Sequence, residues 1–153
     1  MNAALAVSID DPRWRKRVRG ADALVRRAAR AALDGAPRAG EIRDGLADDA
    51  FLRELNHDFR GKDKPTNVLS FPDDAPGALG DVALAFETCA AEARAQGKTL
   101  NAHLAHLIVH GTLHLLGWDH ETVPEALAME ARERRALRRL RVPDPYRARK
   151  IRR

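Results

Sequence analysis

One cysteine, Cys89, is all that the 153-residue chain contains, so no internal disulfide can form. That suits a reducing compartment. No apolar run approaches the roughly 20 residues that cross a bilayer, which excludes a helical membrane span and any membrane partner read from one. The start, Met1 to Val7 followed by Asp10 and Asp11, has no basic region, no long apolar stretch and no small-residue cleavage site. A secretory leader is therefore not expected, and a cytoplasmic location is. There is no internal repeat and no long linker. Apolar residues make up 44% of the chain, enough at this length for one packed core. Residues 1–146 are expected to form a single domain, and 147–153 a basic tail.

Charge is present in excess of one sign. The net charge is +5, and the surplus gathers near the C-terminus. Arg132, Arg134, Arg135, Arg138, Arg139 and Arg141 precede Arg147, Arg149, Lys150, Arg152 and Arg153. A basic surface attracts polyanions, nucleic acid first among them. A solvated helix face followed by a tail explains the same run equally well.

The pattern of apolar residues predicts an α+β domain with a small mixed sheet of about four strands flanked by about five helices. Strands are expected at Ala4–Ile9, Glu41–Ala47, Asn67–Phe71 and Asp81–Phe86. The second is a poor strand by composition, since Arg43, Asp44 and Gly45 interrupt it. Helices are expected over Asp22–Leu33, from Asp48 or Asp49 to Phe59 with Phe51, Leu52 and Leu55 inward, and over Glu87–Gln96. Thr99 caps a long helix to about Leu116. Thr122 and Glu125 form a capping box for the last, which Pro143 and Pro145 end.

The long helix carries the chemistry. His110 and His114 are one turn apart, so their rings leave the same face with Cβ atoms about 6 Å apart. Gly117 can take the left-handed conformation that ends a helix and reverses the chain. The reversal brings His120 over that face. Three imidazoles then converge and leave a fourth position open, a geometry that suits one catalytic zinc, because structural zinc takes four protein ligands. His103 and His106 extend the stripe, but each turn rises about 5.4 Å. They lie too far along the axis for the same ion and are read as core or pocket lining, with His106 a neighbour of His110. His57 is placed on the exposed side of its helix.

This layout matches the His-Glu-x-x-His-x-x-Gly-x-x-His arrangement of metzincin peptidases except at one position. Gly111 stands where those enzymes hold the glutamate that serves as general base. The ligand geometry is metzincin-like, and the peptidase apparatus is incomplete.

Two stretches resemble the YbeY family of bacterial metal-dependent endoribonucleases, also described as rRNA maturation factors. One is His110-Gly111-Thr112-Leu113-His114-Leu115-Leu116-Gly117-Trp118-Asp119-His120. The other runs from Leu55-Asn56-His57-Asp58-Phe59-Arg60 through Gly61-Lys62-Asp63-Lys64-Pro65-Thr66 to Asn67-Val68-Leu69-Ser70-Phe71-Pro72. Leu79 to Leu84, Met129-Glu130 and Asp144-Pro145-Tyr146 add to the match, which covers nearly the whole chain. Trp118 stands where tyrosine is common. The resemblance implies zinc at His110, His114 and His120, and a functional arginine at Arg60. It implies cleavage of single-stranded RNA, maturation of the 16S rRNA 3′ end, ribosome quality control, and contact with the ribosome or its proteins.

A metal can neutralise charge on a phosphodiester, and the Arg60 guanidinium can pair with phosphate through two parallel hydrogen bonds. Arg60 and the ligand His114 are thus the candidate catalytic residues. Lys62 and Lys64 are candidates to steer the RNA backbone. Attack by a metal-activated water and attack by the RNA 2′-hydroxyl both remain open. Asp119 is read as a cap on the turn, and Asp81 and Ser70 as lesser candidates to line the cleft. Two other functions stay in view: a zinc peptidase-like hydrolase, and a zinc-stabilised RNA- or ribosome-binding factor without catalysis.

Overall fold

A computed structural model of the chain describes residues 4–36, 40–60 and 66–146. The basic tail at 147–153 lies outside them. The strands are β1 (Leu5–Ile9), β2 (Glu41–Ala47), β3 (Val68–Pro72) and β4 (Ala78–Ala85). They form one sheet in the order β1-β2-β4-β3. β1, β2 and β4 run parallel, and β3 runs antiparallel to β4. The sheet is mixed and four-stranded, as the pattern predicts.

Six helices occur among the described residues: α1 (Arg13–Arg17), α2 (Ala21–Leu33), α3 (Asp49–Arg60), α4 (Phe86–Ala95), α5 (Leu100–Leu115) and α6 (Val123–Arg139). α1 is the helix that periodicity missed, because five residues hold too little of a 3.6-residue repeat to register. Tertiary contact secures it. Trp14 is fully buried and its Nε1 donates to the Ala47 carbonyl at 2.9 Å.

Strict alternation puts Ile42, Asp44 and Leu46 of β2 on one face of the sheet. That face carries the main core, where α2 brings Leu24, Val25 and Ala28, and α5 brings Leu104, Ile108 and Leu113. The alanines of α2 keep its inner surface low, and α2 packs directly along α5. The other face of the sheet holds a smaller apolar cluster of Leu52, Leu69, Ala83 and Ala85 under α3. β2 is well paired on both sides despite its poor composition. Its central place supplies the hydrogen bonds that its residues do not favour.

Several boundaries move. β4 begins at Ala78, three residues ahead of the expected Asp81, because it pairs with both β2 and β3 there. Phe86 opens α4 and does not end the strand. Phe51 is 46% exposed, so only Leu52 and Leu55 of the expected α3 face turn inward. α6 stops at Arg139, ahead of the prolines, and Arg141 takes a left-handed backbone with φ 60°. The caps hold as expected. The Ala102 N–H donates to Thr99 Oγ1 at 3.0 Å. Thr122 and Glu125 exchange both bonds of the capping box.

Candidate metal centre

α5 runs through the core, and its last two turns carry His110 and His114 out to a cleft. The turn ends in a Schellman motif, with the Trp118 N–H donating to the Leu113 carbonyl and the Gly117 N–H to that of His114, both at 3.0 Å. Gly117 has φ 99°, a backbone that side chains with a Cβ rarely adopt. Asp119 then accepts the His120 N–H at 2.7 Å and so caps the turn, as expected. The chain returns His120 to the face of α5. Ring centroids are 4.7 Å apart for His110–His114, 5.4 Å for His110–His120 and 5.1 Å for His114–His120.

One nitrogen from each ring lies within 4.8 Å of the others, so a single ion can be shared among them. The donor chemistry fits such an ion. Burial first, then the neighbouring His110 and His120, pushes the His114 imidazole below its ordinary value. It is therefore neutral, with a lone pair to give, near pH 7. The three rings border a cleft of about 620 Å³, with Asn67, Ser70 and Trp118 among its other walls.

A family match decides what kind of protein builds this cleft. Residues 8–141 match the family described as Endoribonuclease YbeY. The chain belongs to the YbeY family. An endoribonuclease YbeY from Rhodopseudomonas palustris strain BisA53 is 53% identical over 82% of this chain and 80% of its own. One from Paramagnetospirillum magneticum is 51% identical over 93% of this chain and 94% of its own. The solution structure of TM1509 from Thermotoga maritima shares the fold, with a TM-score of 0.61 at 22% identity over 90% of this chain and 91% of that one.

For a YbeY-family chain the other candidate residues sort by position. Ser70 does border the cleft, and its Oγ donates to the Gly111 carbonyl at 3.3 Å. Asp81 does not; it pairs with Arg43 of the neighbouring strand at 2.9 Å. His57 is exposed on α3, as expected. Arg60 is the last residue of α3. Its side chain, and all of Lys62 and Lys64, lie outside the described residues. The connection that follows Arg60 leads to Asn67, at the wall of the cleft.

His103 and His106 stand apart from the triad, as their height on the helix predicts. Their ring centroids are 6.4 Å apart, and His106 is 6.4 Å from His110. Both line a second cavity of about 710 Å³ that meets the cleft at His110. His103 Nε2 lies 2.8 Å from Glu92.

Sequence reasoning missed Glu133. This α6 carboxylate is 1% exposed. It lies 2.5 Å from His110 Nδ1 and 3.0 Å from His106 Nε2, and it also accepts the Tyr146 hydroxyl. Burial acts to raise the Glu133 carboxyl. The hydrogen bonds from His106, His110 and Tyr146 overcome it and hold the group well below the usual carboxylate range. A helix-period reading does place Glu133 in line with Met129 and Leu137, on the inward face. A charged residue on an apolar stripe was the available signal.

The glycine at 111 also has a structural cause. A Cβ there would meet Val82 Cγ1 at 2.8 Å and Ser70 Oγ at 3.1 Å. α5 crosses the sheet with no room for a side chain at this point. Gly111→Ala is expected to lower stability by about 1–3 kcal/mol through overpacking, as read by urea denaturation. An unchanged midpoint would show that the sheet yields freely.

The basic run of α6 is partly committed within the chain. Arg132 lies over the Trp118 ring at 4.8 Å, Arg134 pairs with Asp144 at 3.1 Å, and Arg139 pairs with Asp34. No helix among the described residues is long and apolar enough to cross a membrane.

Proposed function

We propose that this chain is a metal-dependent endoribonuclease that cuts single-stranded RNA, with His110, His114 and His120 holding one zinc. The observation that carries the reading is the convergence of three imidazoles at the edge of an open cleft in a YbeY-family chain. Three imidazole nitrogen donors suit zinc, and a three-ligand set is the catalytic kind. When bound, the metal supplies Lewis-acid neutralisation of the phosphodiester.

The chain's own residues do the remaining work. Trp118, Asn67 and Ser70 wall the cleft and limit how a strand can lie in it. Arg60, set at the end of α3 ahead of the connection to Asn67, pairs with a non-bridging phosphate oxygen as charge gathers there. Lys62 and Lys64 hold the flanking backbone. The described basic residues of α6 and the tail at 147–153 add attraction for polyanions. The biological setting proposed is the cytoplasm, with 16S rRNA 3′-end maturation, ribosome biogenesis and 70S quality control as the roles and the ribosome as partner.

The ligand spacing remains metzincin-like. The peptidase reading weakens because position 111 has no space for the glutamate that such enzymes use. Casein and a single-stranded RNA offered to the same preparation separate the two, and RNA is expected to be the substrate cut.

Arg60→Ala tests whether the guanidinium takes part in the chemistry. Cleavage is expected to fall about 10–100-fold while zinc content stays at one per chain. Full cleavage by the variant would remove Arg60 from the chemistry. Loss of zinc would make it structural.

A further inference from the structure

Glu133 is buried, charged and 23 residues beyond His110, yet nothing in the proposed reaction uses it. A buried anion is costly unless it is fully paired. Here the pairing is extensive and lopsided. Oε1 takes the His106 Nε2–H and the Tyr146 hydroxyl, while Oε2 takes His110 Nδ1 alone at 2.5 Å. The carboxylate is an acceptor only. Its contact with His110 therefore requires the proton on Nδ1, which leaves the Nε2 lone pair as the ring's metal-binding site.

The geometry points to Glu133 as the positioning residue of the metal centre: it fixes the tautomer and the angle of His110, with His106 and Tyr146 locking the carboxylate in place. This rests on His110, His114 and His120 being the ligands. His106, expected from its place on the helix to be a neighbour of His110, thereby gains a definite purpose. It sits one turn before His110 and holds Oε1, so that the carboxylate cannot swing away from Oε2's partner. Tyr146 does the same from the segment after α6. Its ring is 5.7 Å from that of His106, and Arg134 lies over it at 5.2 Å. Residues from α5 and the C-terminal segment therefore converge on the α6 carboxylate that holds one ligand ring.

Among the described residues, the other two rings have no carboxylate of this kind. His114 is set by its burial and by the Schellman turn, and His120 by Asp119 through the backbone alone. Among the described residues, His110 is the ligand whose orientation a second side chain decides. Such outer partners raise ligand basicity, and removing them typically weakens metal binding about 10–100-fold.

Glu133→Gln tests this, since the amide keeps the shape but removes the charge. Zinc affinity, measured by competition with a chromophoric chelator, is expected to fall about 10–100-fold. Long-range proton–nitrogen spectra of metal-free protein should show Nδ1–H at His110 in the wild type and loss of that single tautomer in the variant. The thermal midpoint is recorded alongside. A merely structural glutamate would lower the midpoint and leave zinc affinity and tautomer unchanged, which overturns the proposal. Glu133→Asp, whose shorter arm cannot reach both histidines, is expected to weaken zinc as well. The wild-type tautomer needs no variant: Nε2–H at His110 refutes the assignment outright. If the wild type binds no zinc but shows Nδ1–H at His110, the metal reading fails while the orientation by Glu133 stands.

Discussion

His114→Ala is expected to abolish RNA cleavage, lowering the rate by about a thousandfold or more, and to strip the metal from the protein. The ring is the middle member of the triad, with centroids 4.7 and 5.1 Å from its two neighbours. Removing it leaves two donors, one of them on the exposed turn at His120. Lewis-acid stabilisation is worth several kcal/mol, and each 1.4 kcal/mol or so is tenfold in rate. His114 is only partly buried, so the truncation spares the core, and circular dichroism should show the wild-type fold. Metal content by emission spectroscopy and cleavage of a labelled single-stranded RNA are the two measurements. A variant that keeps its fold and still cuts at the wild-type rate would end the nuclease proposal for this cleft. A folded variant without cleavage that still performs the cellular role would favour the binding-factor reading.

Stability should fall as pH rises from about 4 to about 7, and Asp44 should be the cause. Asp44 lies between Ile42 and Leu46 on the core face of β2, is 1% exposed, and neither carboxylate oxygen has a hydrogen-bond partner. Burial first, then the charge of Asp81, pushes its carboxyl up to about 7, against a smaller opposing pull from Arg26. Below about pH 4 folded and unfolded chains both hold this proton. Between about pH 4 and 7 only the folded chain does, and stability declines as pH rises. Above about pH 7 the loss is complete, on the order of 4 kcal/mol. Asp44→Asn removes the ionisation while keeping the shape. It is therefore expected to be more stable than the wild type at pH 8, and nearly equal to it or weaker at pH 4. Urea unfolding at both values gives the difference. The same offset between variant and wild type at both would show that Asp44 does not titrate in this range.

Asp44 also shows how a correct element can be reached for incomplete reasons. Its strand looked weak because Arg43, Asp44 and Gly45 suit a strand poorly. The sheet nevertheless places β2 between two parallel neighbours, where pairing outweighs propensity. The cost of that placement appears as the buried carboxylate. Cys89 offers a simpler case. The lone thiol is buried, and burial pushes its ionisation far up, so it is an inert core residue.

What the chain's order of residues determined by itself was local. The three histidines, the reversal at Gly117 and the caps at Thr99 and Thr122 all act within about three helical turns of sequence, where 3.6-residue geometry ties spacing to direction. The apolar pattern likewise specified a mixed sheet between helices. Only the tertiary structure decided which faces meet. It brought Glu133 to His110 and Tyr146 to Glu133, pressed Gly111 against Val82, closed Asp44 into the core and stabilised α1 through Trp14. These contacts join residues far apart in the chain, and their geometry depends on how whole elements pack. No spacing within a single helix or strand can express it.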